Sequence, residues 1–374
     1  MEHTSLLFIE LGSVAVGLAL LARLASRYGF SAVPLYLLAG LAFGTGGLFP
    51  LELSRGFIEL GAELGVLLLL FLLGLEHTGD ELRHGLRAGL PEGAADFLLN
   101  FVPGLLAGLL LGWQPLMAAL LGGATYISSS GIAARLLQEL GRRENPETPA
   151  VLAILIQEDL AMAVFLPVMA ALLLGGSWHQ MAISVSIAIA AVVYILWVAV
   201  RFGGQISRFA AHESDEVILL TTFGAVLLVA GIAQKLQVSA AIGAFLAGIA
   251  LSGPIAAQSH RLLTPLRDLL AAAFFFFFGL RIAPASLPPV LLPAAGLALV
   301  TTATKLLTGL WAARRHGLDR PAGMRAGAVL VARGEFSMVL AQLGSGVEAR
   351  LEPLTAAYVL VLAVLGPIFT RAAK

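Results

Sequence analysis

Two adjacent acids, Glu158 and Asp159, stand inside an apolar run in which Thr148 and Pro149 read as the N-cap and first residue of a helix. Ten residues on, at about 1.5 Å per residue, the pair lies roughly 15 Å in, the middle of a hydrocarbon core about 30 Å thick. Two like charges in one low-dielectric place are costly to keep ionised together, so one carboxyl is able to take up and release a proton near neutrality. A carboxylate is also a hard oxygen ligand for an alkali cation. One group can therefore hold a proton or a cation, and their competition is the minimal chemistry of exchange. Lys305 is the only lysine inside a predicted span and needs an anionic partner, with Glu158 or Asp159 the obvious choice. A pair that merely pins two helices together is the alternative reading. Asp96 with Asn100, and Glu59 with Glu63, are weaker candidates, the latter two near the outer end of their helix where they can be solvated.

Two further segments put glycine among polar groups inside apolar runs: Thr125-Tyr126-Ile127-Ser128-Ser129-Ser130-Gly131 and Val331-Ala332-Arg333-Gly334-Glu335-Phe336-Ser337. An interrupted helix frees backbone groups and helix ends to face an ion. Thr125, Ser128 and Ser129 are candidate ligands of the first segment, and Arg333 and Glu335 are supporting charges of the second. Hydroxyls that simply bond to the carbonyl a turn back are the plainer reading of the serine run.

These residues need elements that cross a membrane. The chain has 374 residues, 59% hydrophobic and only 12% charged, against roughly 25% charged in soluble domains. Apolar runs predict thirteen helices near 5–22, 31–46, 56–75, 86–112, 115–139, 149–174, 180–200, 214–233, 238–253, 264–281, 288–311, 322–343 and 353–371. With that count, alternate connections and termini hold fifteen Lys and Arg on one side and four on the other. The excess marks the cytoplasmic side, which puts the N-terminus outside and the C-terminus inside. The first run follows no Lys or Arg and precedes no clear cleavage site, so it reads as a retained helix rather than a signal peptide.

Leu38-Ala39-Gly40-Leu41-Ala42 recurs as Leu246-Ala247-Gly248-Ile249-Ala250, and Phe71-Leu72-Leu73-Gly74-Leu75 is echoed by Phe276-Phe277-Phe278-Gly279-Leu280. Leu140-Gly141 matches Leu343-Gly344, which also pairs Gly131 with Gly334. The offsets, 208, 205 and 203, drift slowly. A duplicated five-helix unit spanning about 31–174 and 238–371 is the favoured account of the three echoes, and chance likeness between Gly-rich apolar helices is the alternative. The first copy begins at the second helix and the second at the ninth, an odd offset of seven helices, so the second copy is inverted in the membrane, a transporter pattern.

Equal numbers of acidic and basic residues exclude a nucleic-acid partner, and the absence of cysteine excludes thiolate sites and disulfides. No GxxxxGK[ST] loop supports an ATP-driven engine, and no enzyme activity or bound cofactor is expected. His77, His84, His212, His260 and His316 fall in predicted cytoplasmic loops, where they can sense pH or do nothing. Phe274 to Phe278 read as lipid-facing or packing bulk.

Gly40-Leu41-Ala42-Phe43-Gly44, Glu63-Leu64-Gly65-Val66, Leu70-Phe71-Leu72-Leu73-Gly74-Leu75-Glu76, Ser128-Ser129-Ser130, Gln157-Glu158-Asp159, Gly243-Ala244-Phe245-Leu246-Ala247-Gly248 and Arg333-Gly334-Glu335-Phe336 together resemble the monovalent cation:proton antiporter-2 family, which includes sodium/proton and potassium efflux antiporters. The resemblance covers nearly the whole chain. It implies an all-α membrane protein of thirteen helices, divided into a dimerisation domain and a mobile core with two crossed, partly unwound helices. It makes Asp159 the essential ion-binding aspartate, Lys305 the membrane-embedded lysine and Glu335 the glutamate of the second unwound helix. Glu158 departs from the family, where Asp or Gln commonly precedes the aspartate. The expected function is secondary exchange of Na⁺ or K⁺ for protons by alternating access, with the transported cation on Asp159; a sodium-coupled symporter of an organic anion is the competing class. A passive channel is disfavoured, since no repeated filter-like motif is visible. A homodimer in the inner (plasma) membrane, lipid contacts and a cytoplasmic regulatory subunit or domain are the expected partners, and the single transmembrane domain spans 1–374 with no soluble regulatory domain in the chain.

Overall fold

The computed structural model describes residues 2–28, 32–44, 55–75, 79–173, 175, 178–235, 240–251 and 254–373. Among the described residues all regular structure is helical, as a lipid-embedded chain requires: with no water to bond them, backbone groups must find partners within their own segment. The helices are α1 (Glu2–Arg27), α2 (Val33–Phe43), α3 (Arg55–Leu75), α4 (Gly79–Leu110), α5 (Pro115–Tyr126), α6 (Ser130–Glu139), α7 (Thr148–Leu173) and α8 (Trp178–Ala210). They continue as α9 (Asp215–Lys235), α10 (Ala240–Ala250), α11 (Pro254–Arg281), α12 (Pro288–Arg315), α13 (Arg320–Val329), α14 (Glu335–Gly344) and α15 (Leu351–Ala372). Eight stretches among them are long and apolar enough to cross a membrane. Phe8, Val16 and Leu20 of α1, Ile183 and Val193 of α8, Leu220 and Leu228 of α9, and Leu292 and Leu299 of α12 are exposed. Apolar faces of that extent belong against lipid.

The expected span at 115–139 is two helices, α5 and α6, and that at 322–343 is also two, α13 and α14. In α7 the helix already begins at Thr148, whose hydroxyl donates to the Arg142 carbonyl at 2.6 Å. Thr148 is thus not the N-cap that the Thr-Pro pair suggested; its hydroxyl holds the preceding loop instead.

The chain divides into two compact units. The first comprises Met1–Ala62, Pro91–Leu155 and Ala272–Lys374. In it, the first turns of α7 (Ala150, Val151, Ile154, Leu155) pack with Ala133 and Leu137 of α6, Ala312 of α12 and Ala326 and Val329 of α13. Small residues let backbones approach closely where helix association has no hydrophobic drive. A Cβ on Gly327 of α13 would lie 2.7 Å from the Lys305 carbonyl and 2.6 Å from the Leu306 Cα, so α12 and α13 touch backbone to backbone beside Lys305. The phenylalanine run is packing bulk rather than a lipid face, since all five rings are buried and Phe276 and Phe277 join Leu18 and Leu280 in one cluster.

At one end of this unit Arg142 donates to the Thr370 and Ala373 carbonyls at 2.8 and 2.7 Å, where α15 ends. Beside it Glu147 accepts from Arg325 of α13 at 2.6 and 3.0 Å. Burial pushes the Glu147 carboxyl up, but hydrogen bonds from Arg325 and Asn145 outweigh it and hold the group below the ordinary carboxylate range.

The second unit comprises Glu63–Leu90 and Ile156–Ala271. Its core joins Leu68, Phe71 and Leu72 of α3 to Ile218 and Val226 of α9, Ala244 of α10 and Ile255 and Leu263 of α11. The Thr222 and Ser259 hydroxyls, both buried, meet at 3.2 Å within it.

Candidate ion-binding site

In the first unit α5 stops at Tyr126 and α6 starts at Ser130, while α13 stops at Val329 and α14 starts at Glu335. Each break leaves backbone groups without intrahelical partners in an apolar interior. The two breaks satisfy one another. Ser129 N donates to the Ala332 carbonyl at 2.9 Å, Ser128 Oγ to the Leu330 carbonyl at 2.9 Å and Ser337 Oγ to the Ala124 carbonyl at 2.8 Å. The Ser128 and Ser337 hydroxyls thus reach across to the opposite break, not a turn back along their own helix. Thr125 donates back to Gly122 O at 3.0 Å and across to Asn100 O of α4 at 2.9 Å, and neither of these bonds reaches the opposite break. Gly334 is required by the approach: a Cβ there would lie 2.7 Å from Ser129 Oγ.

Arg333 is fully buried between the breaks. Its guanidinium donates to the carbonyls of Thr125 (2.9 Å), Leu330 (2.8 Å) and Val331 (3.0 Å), and to the Tyr358 hydroxyl (3.1 Å). Those carbonyls lie at or just beyond the ends of α5 and α13, the negative ends of two helix dipoles, which a cation stabilises. Glu335, half-buried, is the first residue of α14 and accepts from Ser129 Oγ at 3.4 Å, next to the start of α6. An acid thus stands at two positive helix ends and a base at two negative ones.

Lys305 of α12 donates to both oxygens of Asp96 of α4, at 2.8 and 2.9 Å, and both side chains are fully buried. The ammonium also lies 5.6 Å from the ring centre of Tyr126, the last residue before the first break. Asn100, one turn beyond Asp96, donates to Asp96 Oδ1 (2.9 Å) and accepts from Thr304 (2.7 Å). The sequence reading ranked Asp96 and Asn100 below Glu158 and Asp159 as company for the lysine. The sequence marks the acid with an amide one turn on, inside an apolar span, but not its pairing with the lysine, a contact that spans 209 positions.

Glu158 and Asp159 lie in the second unit near the midpoint of α7, each 1% exposed. The first turns of that same helix belong to the first unit, ending at Leu155 one turn earlier. Glu63 is exposed, in line with a solvated helix end, whereas the Glu59 side chain and His77 lie outside the described residues. Among the described residues no cluster of three or more His, Asp or Glu is placed to hold a metal ion. A single carboxylate with hydroxyl and carbonyl oxygens suits an alkali cation better than a transition metal.

Residues 15–372 match the family model described as sodium/hydrogen exchanger, transmembrane. The K⁺/H⁺ antiporter subunit KhtU of Bacillus subtilis is 35% identical over all of this chain and 94% of its own length. The ammonium/H⁺ antiporter subunit AmhT of Alkalihalophilus pseudofirmus is 31% identical over 89% of this chain and 85% of that protein. The solved structure of the sodium proton antiporter MjNhaP1 of Methanocaldococcus jannaschii superposes with a TM-score of 0.74, at 17% identity, covering 100% of this chain and 99% of that one.

Proposed function

Because the chain belongs to the transmembrane sodium/hydrogen exchanger family, we propose that it exchanges one monovalent cation, Na⁺ or K⁺, for protons by alternating access. The reading is carried by the two helix breaks that meet at Arg333, Ser129 and Glu335, a costly construction inside lipid unless it serves an ion. In this scheme Asp159 holds the cation or the proton. Glu158 and Lys305 adjust the charge around that exchange, Thr125, Ser128 and Ser129 offer neutral oxygens, and Arg333 and Glu335 hold the broken helices in register. When the cation enters, Lys305 also gives up its proton, so two protons move per cation and the membrane potential contributes about 2.3 kcal/mol per 100 mV for each charge crossing.

In the proposed architecture α5 with α6, and α13 with α14, each make one interrupted crossing, giving thirteen crossings and an inverted repeat. The glycine contacts support it. Gly40 abuts Gly279, and Gly248 abuts Gly74, each at backbone distance. These four are the glycines of the two sequence echoes, so each copy's first helix meets the other copy's second. Across the breaks the same spacing returns, 208 positions from Thr125 to Arg333 and 206 from Ser129 to Glu335. Tags at Met1 and Lys374 are expected on opposite faces of intact cells, outside and inside, by the fifteen-to-four asymmetry of Lys and Arg. Tags accessible from one side only would remove the thirteen-crossing architecture. The plasma membrane, a homodimer and a further regulatory subunit complete the proposal; the names of KhtU and AmhT describe each as an antiporter subunit.

Proteoliposomes test the function. Addition of K⁺, Na⁺ or Li⁺ in separate experiments is expected to drive proton movement with at least one of them, and an imposed potential is expected to change its rate. No proton movement with any of the three, together with sodium-driven uptake of an organic anion, would replace the antiporter by a symporter.

A further inference from the structure

Glu92, Asp96 and Asn100 recur at four-residue intervals along α4 and so share one face. Each meets α12. Arg315 Nε donates to Glu92 Oε1 at 3.0 Å, and His316 Nε2 lies 3.6 Å from the same oxygen. Asp96 holds Lys305, and Asn100 donates to Thr308 at 3.3 Å. Exposure falls steadily along this stripe. The side chains of Arg315 and His316 are 47% and 51% exposed, Glu92 is 3%, and Asp96 and Lys305 are 0%. The exposed end is the one that the arginine asymmetry assigns to the cytoplasm.

Glu92 is more than an anchor for Arg315. Only Oε1 serves the arginine, while Oε2 is buried and has no hydrogen-bond partner among the described residues. A buried carboxylate oxygen without a donor is costly, and a proton or a water relieves the cost. Four residues of helix separate Glu92 from Asp96, about 6 Å of rise, a gap that one hydrogen-bonded water spans.

Resting on the antiporter reading above, we propose that Glu92 and Asp96 form a proton route between Lys305 and the exposed end of α12. The Lys305 ammonium transfers one proton to the Asp96 carboxylate, leaving a neutral amine and a neutral carboxylic acid. Asp96 passes the proton through the bridging water to Glu92 Oε2. Glu92 releases it through the exposed His316 imidazole to water, and each carboxyl returns to its carboxylate form. The route run backwards reloads the lysine. Arg315 holds the Glu92 carboxylate in place and carries no proton.

The test separates two reactions of the reconstituted full chain: cation-driven proton release, and cation-for-cation exchange measured without a pH gradient by radioactive rubidium (for K⁺) or sodium tracer. The second cycle never reloads Lys305. Glu92→Gln is expected to slow proton release by about tenfold or more, the scale of one missing proton-transfer group, while tracer exchange keeps its rate. Glu92→Asp is expected to restore most of the loss, and His316→Gln to give a smaller slowing of proton release alone. Equal slowing of both reactions in Glu92→Gln would leave the residue a structural anchor, and no effect on either would place the route elsewhere. If Glu92→Gln fails to fold, His316→Gln decides on an exposed side chain: slowed proton release with intact tracer exchange sustains the route, and an unchanged rate overturns it. Tracer exchange without any proton release in the wild type would refute the antiporter reading itself.

Discussion

Asp159→Asn is expected to insert and fold, yet to bring cation-driven proton movement down to the level of empty liposomes. The amide keeps the size of the carboxylate and one acceptor oxygen, but it neither carries the charge that attracts a cation nor takes up a proton. Both halves of the exchange are lost together. The position is 1% exposed at the middle of an apolar helix, so a solvated substitute for the missing charge is not at hand. Glu158→Gln is expected to keep part of the exchange, because in the proposed scheme the adjacent acid adjusts the charge around the ion while Asp159 holds it. Near-normal exchange in Asp159→Asn would move the ion to Glu158.

Asp96→Ala is expected to lower stability by about 3–5 kcal/mol, the usual cost of stranding one member of a buried ion pair. Lys305 would lose two hydrogen bonds in a place where neither side chain is exposed. Asn100 and Thr304 would lose part of their network at the same time. Thermal unfolding in detergent gives the measurement, and the double variant Asp96→Ala with Lys305→Met gives the control. Removing both charges is expected to recover much of the loss, since the penalty lies in the uncompensated lysine. A loss below about 1 kcal/mol in the single variant, the range of a solvated pair, would mean that the lysine has an equivalent partner elsewhere.

Much of the site's backbone was legible in the sequence. Hydroxyls and a glycine beside charged groups in an otherwise apolar run mark a helix that does not continue, and both interruptions fall where Thr125 to Gly131 and Val331 to Ser337 stand. What those hydroxyls bond to was not legible. Ser128 and Ser337 each serve a carbonyl of the opposite break, and no local pattern encodes a partner about two hundred positions away. Lys305 announced itself as an intramembrane charge, but its carboxylate partner on α4 depends on how α4 and α12 face each other, which periodicity alone does not fix. Glu92 escaped for a related reason: it falls inside the span predicted at 86–112, but no local pattern shows that its partner is Arg315, 223 positions away. The burial of the five phenylalanines was likewise decided by their neighbours rather than by their own composition.

The central claim is that a cation and a proton compete for Asp159. Purified protein in a weakly buffered detergent solution reports it without any membrane: K⁺ or Na⁺ is added, released protons are counted, and cation affinity is measured across a pH series. Competition predicts proton release on cation binding, an apparent dissociation constant that rises as the pH falls, by about tenfold per pH unit for each proton displaced and so by about a hundredfold where Asp159 and Lys305 both release one, and neither response in Asp159→Asn. Cation binding whose affinity ignores pH, or proton release that persists unchanged in Asp159→Asn, would contradict the account.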